Sequence, residues 1–143
     1  MSLYVCNVCN HVEFDSAPDR CPVCGSQKFA QNDNLFKEAE EKSPEAPPKH
    51  IPQVKVSKEC GLIPEEGCTD LFVRVGEKLH PMTDEHFIQW VDCYVDKTYV
   101  SRSEFTPGVQ PATCFHLKKA GEKVTLIEHC NKHGHWSAEA SLA

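Results

Sequence analysis

Cysteine and histidine side chains recur in this chain at spacings that suit metal binding. In the late segment HCNKHGHW, Cys130 and His133 are three residues apart. Upstream lie His50, in KHIP, and His80 and His86, in LHPMTDEH. Imidazole and thiolate are both good ligands for iron, zinc and copper. Each histidine alone is typical of a surface or core residue, so the prediction of a metal site depends on the group.

A second set of candidate ligands is formed by four cysteines in two Cys-x-x-Cys pairs. They are Cys6 and Cys9 in CNVC, and Cys21 and Cys24 in CPVC, with eleven residues between the pairs. Each pair forms a tight turn whose backbone amides point at the sulfurs, and two turns supply four thiolates for a tetrahedral metal. Zinc ribbons and iron rubredoxin sites share this set, so the spacing leaves iron and zinc both open.

The composition limits the classes of function. The chain has 143 residues, nine cysteines and a formal charge of −6, and its basic residues form no cluster larger than a pair. Phosphate binding needs concentrated Lys and Arg, so a nucleic-acid partner is not expected. No apolar run approaches the roughly 18 residues of a membrane span, and the first residues lack a signal-peptide pattern. We therefore predict a cytoplasmic protein, in which an odd number of cysteines favours metal ligation over disulfides.

The rest of the chain must position these ligands. Residues 31–48 are acidic and then rich in proline, which predicts a linker with at most a short helix over residues 35–42. From residue 49 to residue 143 the pattern predicts β-structure without a helix of normal length. β-Branched and aromatic residues, separated by turn signals, predict strands at 71–75, 86–95, 97–105, 112–117 and 123–130. Several short strands at this spacing indicate an antiparallel sandwich.

The N-terminal pairs carry a resemblance to a known module. YVCNVCNHVEF and CPVCGSQKF, within about residues 1–30, resemble the rubredoxin-like module of rubrerythrins. In that family a glycine follows each Cys pair, and here the positions hold Asn10 and Gly25. Asparagine is the best substitute for glycine in a left-handed conformation. The resemblance implies a one-electron iron centre.

Three further motifs carry a second resemblance. KHIP, LHPMTDEHFIQW and CNKHGHW, in this order, resemble the iron-binding domain of superoxide reductases, the desulfoferrodoxin and neelaredoxin family. The resemblance implies an immunoglobulin-like β-sandwich with one mononuclear iron, which reduces superoxide to hydrogen peroxide and forms no dioxygen. The implied ligands are four equatorial histidines, His50, His80, His86 and His133, and an axial thiolate, Cys130. The histidines at 11, 116, 129 and 135 match no ligand and are predicted to be ordinary structural residues.

The same resemblance implies a catalytic role for Lys49, which matches the family's lysine beside its first histidine. This lysine would steer superoxide or organise a protonating water molecule. Many family members have a glutamate directly before it, where this chain has Pro48. The nearest acid is Glu45, five residues before His50, or about 16 Å in an extended chain. Glu45 is the candidate to replace the missing glutamate.

The four remaining cysteines match no family ligand. Cys93 and Cys114 are predicted to be small buried apolar residues in strands. Cys60 and Cys68 bracket GLIPEEG. In a reducing cytoplasm we expect them to remain unpaired thiols.

The resemblances leave two hypotheses. In the first, the chain is a superoxide reductase whose N-terminal site relays electrons from an external donor, such as a rubredoxin. In the second, it is a non-catalytic iron protein for electron transfer or sensing, with an N-terminal zinc ribbon that binds a partner. The retained Lys49 and five intact ligand positions favour the enzyme. Exposed strand edges also predict a homo-oligomer.

Overall fold

The computed structural model describes all 143 residues. Ten strands and two helices follow one another along the chain: β1 Leu3–Cys6, β2 Val12–Phe14, β3 Phe29–Gln31, α1 Leu35–Lys42, α2 Pro47–His50, β4 Pro52–Ser57, β5 Thr69–Val75, β6 Ile88–Val95, β7 Thr98–Glu104, β8 Ala112–Leu117, β9 Lys123–Cys130 and β10 Gly134–Ser141. Neither helix has the length or apolar character that crossing a membrane requires. The predicted predominance of antiparallel β-structure is confirmed.

Two antiparallel sheets form a sandwich. One has the strand order β10-β9-β6-β7 and the other β4-β5-β8. In β5, Leu71, Val73 and Val75 point into the core, while Phe72 and Arg74 between them are exposed. This alternation is expected of a sheet with one buried face. The core between the sheets joins these residues to apolar residues of β6, β8 and β9.

The central strand β6 is buried along nearly its whole length. Val91 and Cys93 point into the core of the sandwich, whereas Trp90 and Tyr94 belong to a second apolar cluster on the outer face. A strand that is buried on both faces has a nearly continuous run of apolar residues in its sequence. The register of β6 against β9 shifts between Ile88 and Trp90. A shift of this kind bends a strand and redirects its side chains.

The cover on the outer face is the N-terminal segment. Its small sheet has the order β2-β1-β3, and Leu3 and Val12 pack against Trp90, Tyr94 and Ile127. The N-terminal segment has few large apolar side chains of its own. It therefore buries them against the outer face of the sandwich and not in a separate core.

The segment between the two units is also packed. The short helix predicted at residues 35–42 is confirmed as α1. Its Ala39 forms a small buried cluster with Ala46 and with Trp136 of β10. Helix α2, at Pro47–His50, is a single turn that leads directly into β4.

The cysteines outside the predicted metal sites behave in two ways. Cys93 is fully buried in the core, as predicted, and Cys114 is a half-buried free thiol on β8. The prediction that Cys60 and Cys68 are unpaired is wrong, because they form a disulfide. A turn in which the Gly67 amide donates to the Ile63 carbonyl, at 3.1 Å, folds the loop and places the two cysteines side by side.

Candidate metal centres

The five residues predicted to bind iron converge at one end of the sandwich. His50 ends α2, and His80 and His86 lie in the loop between β5 and β6. Cys130 ends β9, and His133 lies in the turn before β10. Their ligand atoms are all within 4.8 Å of one another. Antiparallel pairing brings the start of β6, the end of β9 and the start of β10 to the same end of the sheet. The strand topology therefore brings the five ligands together.

Backbone carbonyls fix the orientation of two of the imidazoles. His50 donates its Nδ1–H to the Ala46 carbonyl at 2.9 Å, and His80 donates its Nδ1–H to the Pro81 carbonyl at 2.6 Å. The two Nε2 atoms then lie 3.0 Å apart. His80 Nε2 is also 3.5 Å from Cys130 Sγ. A hydrogen bond at one ring nitrogen leaves the lone pair of the other free for a metal.

The other two imidazoles complete the group. His133 Nδ1 lies 3.2 Å from His50 Nε2 and 3.9 Å from Cys130 Sγ. His86 Nε2 is buried and has no hydrogen-bond partner. An unpaired buried polar atom is costly, and a metal ion at this position satisfies it. Four imidazole nitrogens and one thiolate form a donor set that suits iron, so the residues present fit the metal that the sequence implies.

Burial controls the charge of these groups. Burial, together with the neighbouring histidines, lowers the pKa of His50 and of His80 to about 4, against the opposing effect of their backbone hydrogen bonds. Both rings are therefore neutral near pH 7, which is the form that binds a metal. Burial raises the pKa of the Cys130 thiol, and a bound cation opposes that effect. The nearby Glu128 is fully buried without a partner, and its pKa is raised well above the usual range.

Two side chains that the sequence analysis did not single out support the ligands. The indole of Trp136 lies over His50, with ring centroids 5.1 Å apart, and its Nε1–H donates to the His133 carbonyl at 3.0 Å. The amide of Asn131 bonds the backbone of residues 85–87 at 2.9 and 3.0 Å, and so ties down the loop of His86. Their adjacency to Cys130 and His133 was the only signal in the sequence.

The charged residues proposed from the sequence lie at the surface. Lys49 is exposed, and its charge contributes to the lowered pKa of both His50 and His86, so its field reaches the site. Lys132 acts on His86 in the same way and was missed by the sequence analysis. Glu45 is exposed and lies outside the ligand group.

The four N-terminal cysteines form a separate group. The Sγ atoms of Cys6 and Cys24 lie 3.5 Å apart, and those of Cys9 and Cys21 lie 3.6 Å apart. Four thiolates at the usual metal–sulfur distance of about 2.3 Å are about 3.8 Å from each other in a tetrahedron, so the group fits a metal.

The turns around these cysteines have the predicted backbone. Asn10 and Gly25 adopt φ values of 65° and 81°, which confirms the left-handed conformation at both positions. Burial acts to raise the pKa of Cys6, but backbone amides that donate to its sulfur, with Cys24, lower it to about 7. The geometry thus favours a thiolate at this position.

A buried polar network joins the two units. Asp92 of β6 accepts hydrogen bonds from His11 Nδ1 at 2.7 Å and from Arg102 at 2.6 and 2.9 Å. Burial acts to lower the pKa of His11, but its bonds to Asp92 and Glu13 raise it. His135 donates its Nε2–H to the Asn10 carbonyl at 2.8 Å. His11 and His135 were assigned no special role from the sequence, and both connect the N-terminal segment to the sandwich.

A β-sandwich with four imidazoles and a thiol at one end, joined to a small tetracysteine unit, defines a class of protein with two metal-binding sites, of which the first suits non-haem iron. A family model described as Desulfoferrodoxin matches residues 39–139, and one described as Rubrerythrin, rubredoxin-like domain, matches residues 4–29. The chain therefore belongs to the desulfoferrodoxin family.

Individual proteins show the same similarity over nearly the full length. The desulfoferrodoxin of Syntrophotalea carbinolica is 31% identical over 142 residues, which cover 97% of this chain and 96% of the relative. The crystal structure of the superoxide reductase from Treponema pallidum aligns with a TM-score of 0.63 and 25% identity, covering 96% of this chain and 98% of the other. The superoxide reductase from Nanoarchaeum equitans aligns with a TM-score of 0.56 and 30% identity, covering 66% and 94%.

Proposed function

We propose that this protein is a superoxide reductase, which converts superoxide to hydrogen peroxide by one-electron reduction. The observation that carries this proposal is the buried group of four imidazoles and one thiol, with His86 Nε2 left unpaired. We propose that His50, His80, His86, His133 and Cys130 hold the iron. When bound, iron alternates between its ferrous and ferric states and supplies the electron, while two protons are taken up for each superoxide.

The residues of the chain contribute orientation and charge. The carbonyls of Ala46 and Pro81 hold two rings with their Nε2 atoms facing the site. Lys49 and Lys132 place positive charge near His86 in a chain of charge −6. A local positive field concentrates a small anion at a site even when the net charge repels it. We propose that Lys49 steers superoxide, and Glu45 remains the candidate for the family glutamate absent at position 48.

We propose that the chain divides into a rubredoxin-like module at 1–30, a connecting segment at 31–48 and the reductase domain at 49–143. In the module, Cys6, Cys9, Cys21 and Cys24 would hold iron or zinc, and with iron the module relays electrons. One hydrogen bond between the segments that carry the two sites supports the relay: the Asn10 carbonyl, next to Cys9, accepts it from His135, two residues after His133.

The wider setting of the reaction is part of the same proposal. The oxidised site must be reduced again, so an external donor such as a rubredoxin delivers the electron. We place the protein in the cytoplasm. The outer strands of the two sheets, β4, β7, β8 and β10, are each hydrogen-bonded to a strand on one side only. Such edges favour pairing with a second copy of the chain, as a homo-oligomer.

The ligand assignment is tested by replacing Cys130 with Ser. The variant is expected to lose the thiolate-to-iron absorption band and to reduce superoxide more than about 100-fold more slowly, since even residues behind the ligands change metal-site activity by about 10–100-fold. The matched control is Cys93→Ser, which removes another fully buried thiol of the same core. A Cys130→Ser protein that keeps both the band and the rate would overturn the assignment. Iron and zinc content of the same samples identifies the metal of the module.

A further inference from the structure

A third group of metal-binding side chains lies at the opposite end of the three-stranded sheet from the proposed iron site. Cys60 follows β4, Cys68 and Asp70 lie at the start of β5, and His116 lies near the end of β8. Asp70 and His116 are directly paired across β5 and β8. Strand β4 has six residues, so its two ends are about 17 Å apart. The group is therefore separate from the iron ligands, which lie beyond the other end of β4.

The atoms of this group are arranged around a common point. Their four ligand atoms all lie within 4.8 Å of one another. His116 Nδ1 is 3.8 Å from the Sγ atoms of both Cys60 and Cys68, and 2.8 Å from Asp70 Oδ1. Asp70 Oδ1 is in turn 3.0 Å from Cys68 Sγ.

In the disulfide form, Asp70 is paired within this group with His116 alone. Its side chain is only 7% exposed, and His116 is its single proton donor in the group. The sulfur of Cys68, 3.0 Å from Oδ1, belongs to a disulfide and carries no proton to donate. A buried carboxylate is stable only when it is paired or bound to a cation. A metal ion between the four side chains pairs the carboxylate and both sulfurs at once.

We propose that the reduced, dithiol form of this group is a zinc site with Cys60, Cys68, Asp70 and His116 as its four ligands. Two thiolates, one imidazole and one carboxylate are ligands that zinc accepts in a tetrahedral arrangement. At the usual bond lengths of about 2.3 Å to sulfur and 2.0 Å to nitrogen or oxygen, such ligands are about 3.3–3.8 Å apart. The four separations that join His116 to the other three ligands and Asp70 to Cys68, 2.8–3.8 Å, come close to this range, whereas the two sulfurs are still bonded to each other. Opening the disulfide is the main movement required.

The site has access from solvent. Both cysteines are half-exposed, and the loop between them, residues 61–67, is exposed throughout. The imidazole of His116 is 30% exposed. Zinc ions and small oxidants can therefore reach the sulfurs without unfolding of the sandwich.

The disulfide and zinc forms exclude each other, so the site responds to peroxide. Hydrogen peroxide oxidises the two thiolates: the sulfur–sulfur bond forms, the oxygen–oxygen bond breaks, two protons are consumed, and two water molecules and the zinc ion are released. The two electrons lost by sulfur are those gained by peroxide. A dithiol reductant converts the disulfide back into two thiols and is itself oxidised to a disulfide. The response to peroxide rests on the proposed function, since peroxide is the product of superoxide reduction. The zinc site itself does not depend on that function.

The test compares zinc binding by the full-length, iron-loaded protein in its two redox forms. One sample is reduced anaerobically with a phosphine, and the other is treated with reagent hydrogen peroxide, so no superoxide reductase activity is needed. Zn²⁺ is added, excess is removed, and metal per chain is counted. We expect one more zinc per chain in the reduced sample, and release of that zinc when peroxide is added.

Variants assign the extra zinc to this group. His116→Gln, at a partly exposed position, and the double change Cys60→Ser with Cys68→Ser are both expected to lose it. The control is Cys114→Ser, which removes a free thiol two residues from His116 on the same strand and should bind as the parent does. Equal zinc in both redox forms, or retention of the extra zinc by His116→Gln, would overturn the proposal. Because superoxide kinetics are measured separately, a reductase without this zinc is distinguishable from a zinc protein without reductase activity.

Discussion

Lys49 illustrates how a single exposed charge can serve a buried site. It precedes His50 directly, and its positive charge reaches both His50 and His86. Replacing Lys49 with Ala is expected to slow the second-order reaction with superoxide by about tenfold, at the low end of the effects of electrostatic steering. The dependence of that rate on ionic strength should flatten, because screening acts on the charge that has been removed. Stopped-flow measurements at several salt concentrations provide both quantities.

The control for this substitution is Lys55→Ala. Lys55 is an exposed lysine of β4 that does not contribute to the shifted pKa of any ligand histidine. It changes the net charge equally but should leave the rate nearly unaltered. If both variants slowed the reaction to the same extent, net charge would be responsible and Lys49 would have no special role.

The sequence predicts individual ligands much better than the residues behind them. Cys130 and His133 could be proposed because CNKHGHW, together with KHIP and LHPMTDEHFIQW, resembles the motifs of the superoxide reductases. Asp92 could not, because one acid within an apolar strand gives no sign of which partners it meets. Its partner Arg102 is ten residues away on the neighbouring strand, and its other partner, His11, is 81 residues away. Such pairs are created by sheet register and docking, not by local spacing.

At the scale of elements, the turn after β5 fixes the segment that carries Lys49. Gly76 has φ +87°, and its amide donates to the Ile51 carbonyl at 3.2 Å. A Cβ at this position would collide with the Lys78 carbonyl oxygen and would lie 2.7 Å from the Lys49 carbonyl oxygen. We expect Gly76→Ala to destabilise the fold by about 2–4 kcal/mol, from left-handed strain and from this clash. Because the displaced segment continues into His50, the variant should also retain less iron, as measured by iron content after dialysis against a chelator.

Gly67→Ala separates the two causes. Gly67 has a similar φ of +69°, but a Cβ there meets nothing within 4 Å. This control should show the strain alone and keep its iron. Equal iron loss in the two variants would mean that the close packing of Gly76 against the backbone of Lys49 and Lys78 does not position the site.

The elements found and missed have a common explanation. The five predicted strands correspond to β5 through β9, because each has its own β-branched or aromatic pattern. Strand β10 was not predicted, since GHWSAEAS is composed largely of small and polar residues. It pairs with β9 at eight successive positions and so takes its structure from its neighbour. Strand β4 was also missed, since it begins with Pro52 at the edge of its sheet.

At the scale of the whole molecule, the two metal-binding units share one structure. Trp90 and Tyr94 on the outer face of β6 are covered by Leu3 and Val12 of the N-terminal segment. Arg102 lies over the Trp90 ring at 3.8 Å. The linker predicted at residues 31–48 would permit contact between the units without requiring it. Burial of both faces of β6 shows that its apolar pattern depends on the docked module.

Asp92 is the residue on which this docking depends most, because it is completely buried between His11 and Arg102. Replacing Asp92 with Asn leaves the guanidinium without its countercharge. Removal of one partner from a buried ion pair costs about 3–5 kcal/mol, so the free energy of unfolding should fall by an amount of that order. The control is Glu139→Gln, which breaks the exposed pair with Lys123 and should cost less than about 1 kcal/mol. Denaturant titration gives both values, and proteolysis should cleave the first thirty residues of the Asp92→Asn protein before the sandwich. Equal small losses in the two variants would show that apolar packing alone holds the module in place.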